Sequence, residues 1–374
     1  MNATAPAPAA PAPVTPVPDP ASRYLRACRR LPVDATPVWF MRQAGRSLPE
    51  YRAIRARASL EEIVADPALC AEVTLQPVGR LGVDAAILFA DITTPLGGLG
   101  VGVRIVEGIG PVIDRPIRTA ADVAALRPFE PSAAVGPLLA AIGLVRSASP
   151  VPLIGFAGAP FTLASYLVEG RSAGDAGRLK QLLRAEPAAG RALLERLGEA
   201  TVAYLRAQVA AGAAAVQLFD SWAGALSPFD YDRFVRPVMA GLFAELGELG
   251  VPVTHFGTGT AGLLERMAAA GGDVVGLDWR VDLADARSRL PGRALQGNLD
   301  PAAVLGPWPA VEERARAVLA AAGGRPGHIF NLGHGVPPQA NPDLLRRLVD
   351  LVHDETAGAA TPVLPEPGAE RTTA

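Results

Sequence analysis

Lysine is nearly absent from this chain of 374 residues: Lys180 is the only one. Positive charge is therefore arginine almost throughout, and the choice of Arg over Lys at any one position says little. A glycine-rich phosphate loop ending in lysine is excluded, because Lys180 falls in a long amphipathic stretch. The two cysteines, Cys28 and Cys70, make neither a zinc constellation nor a disulfide framework, and a reducing, cytoplasmic setting fits them. The four histidines, His255, His328, His334 and His353, lack metal-ligand spacing, so no metal is expected. No uninterrupted apolar stretch reaches the ~20 residues that cross a bilayer, and the N-terminus lacks the basic start and leucine-rich core of a signal peptide. A net charge of -2 is not the strongly basic balance that a nucleic-acid partner calls for.

What is present begins with proline. Residues 1–21 form an Ala/Pro tract that reads as an extended, disordered tail, and residues 356–374 read the same way. Between them lies a body, residues 22–355, with no Ser/Gly linker to mark a domain boundary. About half the chain is apolar, ample for a core. Short apolar runs at Val38–Phe40, Ala85–Phe89, Leu153–Phe156, Ala215–Phe219, Val253–Phe256, Val274–Leu277, Ala294–Gln296 and Ile329–Asn331 predict strands. Helix-like segments alternate with them: Leu60–Leu81, Ala133–Ser147, Asp175–Gly212, Pro228–Leu249, Thr260–Ala270, Leu283–Arg289, Val311–Ala322 and Asp343–Val352. That alternation predicts an α/β fold of βα units around a parallel sheet, a single-domain (β/α)8 TIM barrel. An open doubly wound sheet is the competing arrangement, weakened by the lack of a GxGxxG turn after the first strand.

In such a barrel, functional residues gather after the strands. The first strand leads into PVWFMRQAGRSLPEYRAIR, with Arg42, Arg46, Arg52 and Arg55 within fourteen residues. Guanidinium groups bind carboxylates in a two-pronged, planar geometry, so the cluster suggests a receptor for a polycarboxylate. A solvated basic loop is the plain alternative. Asp91 follows the second run in ILFADI; it either caps the next turn or faces a donor or cation. Tyr166 lies in GFAGAPFTLASYLVEG, where small residues let a bulky ligand reach the backbone. Ser221 follows the fourth run without a GxSxG elbow, which argues for a hydrogen-bond contact and not a nucleophile. His334, set between Gly333 and Gly335, suits an acid/base group or a neutral donor to a carboxylate. His255, inside the fifth run, reads as a core or near-site histidine.

Together these segments resemble the uroporphyrinogen decarboxylase family. PVWFMRQAGRSLPEYR and GFAGAPFTLASYLVEG look like its two signatures, and ILFADI, QLFDSWAG and FNLGHG occur in the family's order and spacing. The resemblance implies a homodimeric (β/α)8 enzyme without metal or organic cofactor that removes CO2 from the four acetates of uroporphyrinogen III, yielding coproporphyrinogen III. It implies substrate binding by Arg42, Gln43, Ala44, Gly45, Arg46, Arg55, Asp91, Tyr166, Ser221 and His334. Asp91 would stabilise the transition state, with Arg42 as a second catalytic group. Arg42, a water held by Arg42 or Arg46, His334 and Tyr166 all remain open as proton donor. Arg52, with no counterpart role, reads as solvated. Asp220–Ser221 departs mildly from the frequent Glu–Ser. A methyltransferase of the same superfamily would need cysteines late in the chain, and none follows Cys70. A non-catalytic tetrapyrrole-binding protein would need the arginines but not Asp91.

Overall fold

The apolar runs form strands because β-branched and aromatic residues stacked in register bury both faces of a parallel sheet. In the computed structural model, which describes residues 22–106, 108–172 and 174–358, there are nine strands. They are β1 (Ala86–Ile87), β2 (Val103–Val106), β3 (Gly110–Ile113), β4 (Leu153–Gly158), β5 (Ala215–Asp220), β6 (Val253–Gly257), β7 (Val274–Gly276), β8 (Ala294–Gln296) and β9 (His328–Ile329). Seven of them make one curled sheet in the order β1-β4-β5-β6-β7-β8-β9, every neighbour parallel. The architecture is thus α/β with a seven-stranded parallel sheet.

Val38–Phe40, expected as the first strand, contributes one parallel bridge, Val38 to Phe330. On its other flank Asp84 N–H donates to the Val38 carbonyl at 2.8 Å, and Val38 N–H donates to the Asp84 carboxylate at 2.7 Å. That carboxylate also takes His353 at 2.7 Å and Arg23 at 3.3 Å, so Asp84 clasps the first apolar run to helices at both ends of the body.

Helices alternate with the strands, and proline decides where several break. The expected Leu60–Leu81 helix is two, Leu60–Ala65 and Pro67–Leu81. Pro67 forces Asp66 out of the helical region, and the Asp66 side chain accepts from Ala68 N–H and Leu69 N–H to cap the second helix. Pro187 likewise divides the expected Asp175–Gly212 into Gly177–Ala185 and Pro187–Ala211. Helix Pro131–Ala148 has the length and mean hydropathy, 1.3, of a membrane-crossing segment. Here it packs on helices Pro67–Leu81 and Pro187–Ala211. The last helix, Pro342–Thr356, ends one residue past the expected body, and the Thr356 hydroxyl accepts from Thr36 N–H at 2.8 Å. The expected tails, 1–21 and most of 356–374, lie outside the described residues.

The β2–β3 hairpin was not foreseen. It is antiparallel and lies outside the main sheet. Ile113 N–H donates to the Gly170 carbonyl at 2.8 Å, which ties it to the end of helix Pro160–Glu169, the helix that carries Tyr166.

Candidate active site

The loop after Val38 is held by its own side chains. The Gln43 carboxamide accepts from Phe40 N–H at 3.0 Å and donates to the Ala85 carbonyl at 2.9 Å, and the residue is fully buried. Gln43 therefore shapes the loop instead of presenting its side chain to a ligand. Met41 N–H donates to Asn331 Oδ1, and Val336 N–H to the Met41 carbonyl, so the loop is strapped to the segment around His334. Between these straps Arg42 sits at φ 59°, a left-handed backbone that a long side chain adopts at a cost. Its side chain is exposed, as is that of Arg46, while Ala44 and Gly45 are half-buried between them.

Arg52 is not simply solvated. Its guanidinium donates to the carbonyls of Arg46 and Ser47 at 2.8 and 3.1 Å, bracing the same loop from behind. Arg55 donates to the Ala58 carbonyl and, with Arg46, places positive charge near the Tyr51 phenol. Tyr51 packs on Phe89, ring centroids 5.4 Å apart, two residues before Asp91.

Asp91 satisfies both readings open to it, one on each oxygen. Oδ1 accepts from Thr93 N–H at 2.8 Å and from the Thr93 hydroxyl, closing an Asx turn. Oδ2 accepts no hydrogen bond among the described residues. The half-buried carboxylate is thus held at one end and open at the other. Tyr166 lies close enough to feel both charges. Burial raises its phenol above the usual value, the Asp91 carboxylate raises it further, and the nearby Trp222 indole and the Arg42 charge oppose them. The phenol is protonated at neutral pH and is a donor.

His334 completes the group. Burial, the Arg42 guanidinium and Arg280 lower its pKa to about 4 against the opposing pull of Asp278, so the ring is neutral at neutral pH. The flanking glycines have a steric reason. A Cβ on Gly333 would lie 2.3 Å from Trp279 N, and one on Gly335 would lie 2.5 Å from Arg42 Cδ. His334 is wedged between the loop after β7 and Arg42.

Ser221 follows β5, half-buried, and its carbonyl accepts from the Thr258 hydroxyl at 2.6 Å. Beneath it a chain of buried polar groups holds the turn. Trp222 N–H donates to Thr162 Oγ1, which donates to Asp220 Oδ1 at 3.0 Å; Asp220 Oδ2 lies 3.4 Å from His255 Nε2. Trp222 in turn packs edge-on against Tyr166 at 6.3 Å. Thr162, Trp222 and Asn331 support the site without having stood out in the sequence. The turn at Thr93 was legible from Asp91 itself, since an Asp side chain readily accepts from the backbone N–H two residues on.

A cavity of about 360 Å³ opens beside Asp91 and Thr93, lined by Leu60, Glu61, Val64, Val101, Val103 and Leu138 among others. Its wall is mainly aliphatic, its charged groups are the carboxylates Glu61 and Asp91, and it includes none of Arg42, Arg46, Tyr166, Ser221 or His334. Its chemistry does not suit a polyanion; the charged group around Arg42 does. Among the described residues there is no cluster of three metal-ligating side chains.

Comparison with known proteins bears on the family. The family model "Uroporphyrinogen decarboxylase (URO-D)" matches residues 19–355. A Mycobacterium tuberculosis protein named uroporphyrinogen decarboxylase is 55% identical over 348 residues, covering 89% of this chain and 98% of that protein. One of the same name from Streptomyces griseus is 55% identical, covering 90% and 92%, and one from Salinispora tropica 53%, covering 91% and 92%. Among solved structures, a methyltransferase from Methanosarcina mazei superposes with a TM-score of 0.76 at 19% identity, covering 90% of this chain and 98% of that one. At that identity it speaks for the fold alone. The relatives and the family model span the body that carries Arg42, Asp91, Tyr166, Ser221 and His334, and the chain belongs to the uroporphyrinogen decarboxylase family.

Proposed function

We propose that the chain is a carboxy-lyase that converts uroporphyrinogen III to coproporphyrinogen III by removing CO2 from its four acetate side chains, a step of porphyrin and haem biosynthesis. The observation that carries this reading is the pair of opposite charges at one mouth. Asp91, with Oδ1 tied into a turn and Oδ2 open, and Arg42, held at a left-handed φ of 59°, both act on the Tyr166 phenol.

Each half of that pair matches a half of the substrate. Exposed Arg42 and Arg46 offer paired N–H donors to side-chain carboxylates, with Ala44 and Gly45 giving the ring room and Arg55 adding charge nearby. Open Asp91 Oδ2 accepts from the pyrrole N–H groups. Protonation of the ring carbon beside the one that bears the acetate makes a cation spread over the pyrrole nitrogen and the acetate-bearing carbon. The C–CO2 bond then breaks, its electron pair flows into that cation, and CO2 departs. Loss of the ring proton and protonation of the former acetate carbon leave a methyl group. A fixed carboxylate beneath the nitrogens stabilises the cation with little reorganisation. The pyrrole serves as electron sink, so the reaction as proposed needs neither metal nor organic cofactor. Neutral His334 and the protonated Tyr166 phenol act as hydrogen-bond donors to substrate carboxylates, and Ser221 adds a hydroxyl.

We also propose that the Val38 segment completes a (β/α)8 barrel. The reading is supported by its parallel bridge to Phe330 and its backbone bond to Asp84. A homodimer follows the family resemblance, a cytoplasmic location the cysteine usage, and a folded unit close to residues 22–355 the pattern of the sequence.

The test is an anaerobic incubation of the purified protein with uroporphyrinogen III and no added cofactor, followed by chromatography of the oxidised products. Coproporphyrin III is expected. Well-folded protein that returns only unchanged substrate would overturn the assignment.

A further inference from the structure

Arg280 is a charged side chain at the same mouth that neither the family signatures nor the arginine cluster brings forward. It follows β7, in the sequence Leu277-Asp278-Trp279-Arg280. Asp278 is fully buried. Its Oδ2 accepts from Gly259 N–H at 2.6 Å and from Arg280 Nη1 at 2.8 Å, and its Oδ1 accepts from Arg280 N–H at 3.0 Å. The guanidinium carbon lies 3.9 Å from the centre of the Trp279 ring, stacked on its face. Asn298 pins the backbone beneath by donating to the carbonyls of Asp278 and Val281 at 2.8 and 2.7 Å. The segment is rigid, and the side chain above it is about half exposed, at 55%.

Two features give this arrangement a direction. Asp278 and Trp279 touch Gly333 closely enough that no Cβ would fit, so Arg280 belongs to the loop packed against the His334 segment on one side while Arg42 packs against Gly335 on the other. The second is an incomplete use of donors. Among the described residues Arg280 Nε and Nη2 make no hydrogen bond, which leaves most of its fork open. Asp278 does not need this charge to be satisfied, because two backbone N–H groups already reach it.

We propose that Arg280 is a further carboxylate-binding residue of the active site, holding a peripheral carboxylate of the tetrapyrrole across His334 from Arg42. The inference rests on the decarboxylase reading above and deepens it. Two positively charged forks flanking a neutral imidazole span a wider polyanion than the Arg42 loop alone can hold. Stacking on Trp279 and anchoring to Asp278 mean that little side-chain freedom is lost on binding.

Two substitutions test it, R280M, which keeps an apolar stem over Trp279, and R280K, which keeps charge without the fork. R280M is expected to raise KM for uroporphyrinogen about tenfold, the scale of one charge-assisted carboxylate contact. Its kcat should fall no more than about twofold, and R280K should recover part of the loss. Wild-type KM in R280M would overturn the proposal, leaving Arg280 as the partner of Asp278. So would a drop in kcat and melting temperature with KM unchanged. Fluorescence titration with uroporphyrin keeps the outcome separate from that of the decarboxylase reading. If wild-type protein bound the porphyrin without turning over uroporphyrinogen, R280M should still bind about tenfold more weakly, and equal affinity would refute the role.

Discussion

A single carboxylate shows how much of a site one residue type can announce. The Asp91 side chain after an apolar run left two roles open, turn cap or ligand-facing anion, and the structure divides them between two oxygens of one group. Asp91→Asn separates the roles, because asparagine keeps Oδ1 as acceptor for Thr93 while the open oxygen gives way to an uncharged NH2 that cannot accept from pyrrole N–H groups. Turnover is expected to fall by at least about tenfold, as for loss of a preorganised electrostatic stabiliser, with the melting temperature close to wild type. Steady-state kinetics beside a thermal melt reads both, and wild-type turnover would show the charge to be idle. Arg52 and Gln43 show the limit of such reading. Arginine spacing cannot tell a guanidinium facing a ligand from one capping carbonyls, as Arg52 does for Arg46 and Ser47. Gln43 was placed in the site by its motif, yet its carboxamide is used up between Phe40 and Ala85. Both distinctions depend on where neighbouring backbone groups point.

Among the elements, strand positions were legible and connections were not. The run Ala294–Gln296 coincides with β8 and the other apolar runs after the first overlap their strands, because burial on both faces of a parallel sheet leaves a continuous apolar stretch; Val38–Phe40 makes only a bridge. Proline interrupts the longer helices at Pro67 and Pro187, a local signal that amphipathic periodicity masks. The β2–β3 hairpin escaped because β2 is only partly buried and β3 opens with Gly110 and Pro111, residues that signal a turn rather than a strand. The Gly333–His334–Gly335 loop lay between: its glycines were visible, their contacts were not. Gly335 does not occupy the left-handed region, so Gly335→Ala is tolerated by its own backbone, but the new methyl meets the Arg42 side chain at 2.5 Å from Cδ. Arg42 must move, and kcat/KM is expected to drop about tenfold while the melting temperature stays within a few degrees. Unchanged kcat/KM would mean that Arg42 need not occupy this position.

For the whole molecule, burial of histidine sets a direction for acid stability. His328 is 4% exposed; its Nε2–H donates to the Gly297 carbonyl at 2.8 Å, and burial lowers its pKa to about 4. An unfolded histidine titrates near ~6.5. Between those values the unfolded chain binds a proton that the folded chain does not, so stability is full above about pH 6.5 and falls as pH drops toward about 4. From pH 7 to 5 this one group removes roughly 2 kcal/mol. Urea melts at both pH values should show that loss in the wild type and a smaller one in His328→Gln, which still offers a donor to Gly297; an equal loss in both would assign the acid sensitivity elsewhere. At this scale the sequence by itself determined the α/β class, the order of the strands along the chain, and the family, since periodicity and long motifs are properties of the chain alone. Only the tertiary structure decided which charges meet. Arg42 and Asp91 come from one stretch of the chain, Tyr166 and Ser221 from its middle, and Arg280 and His334 from near its end. What joins them is a curled parallel sheet that delivers the ends of its strands to one mouth. Whether a guanidinium there finds a carbonyl or stays open for a carboxylate is set by that packing, because hydrogen bonds and ion pairs depend on ångström distances that no local spacing encodes.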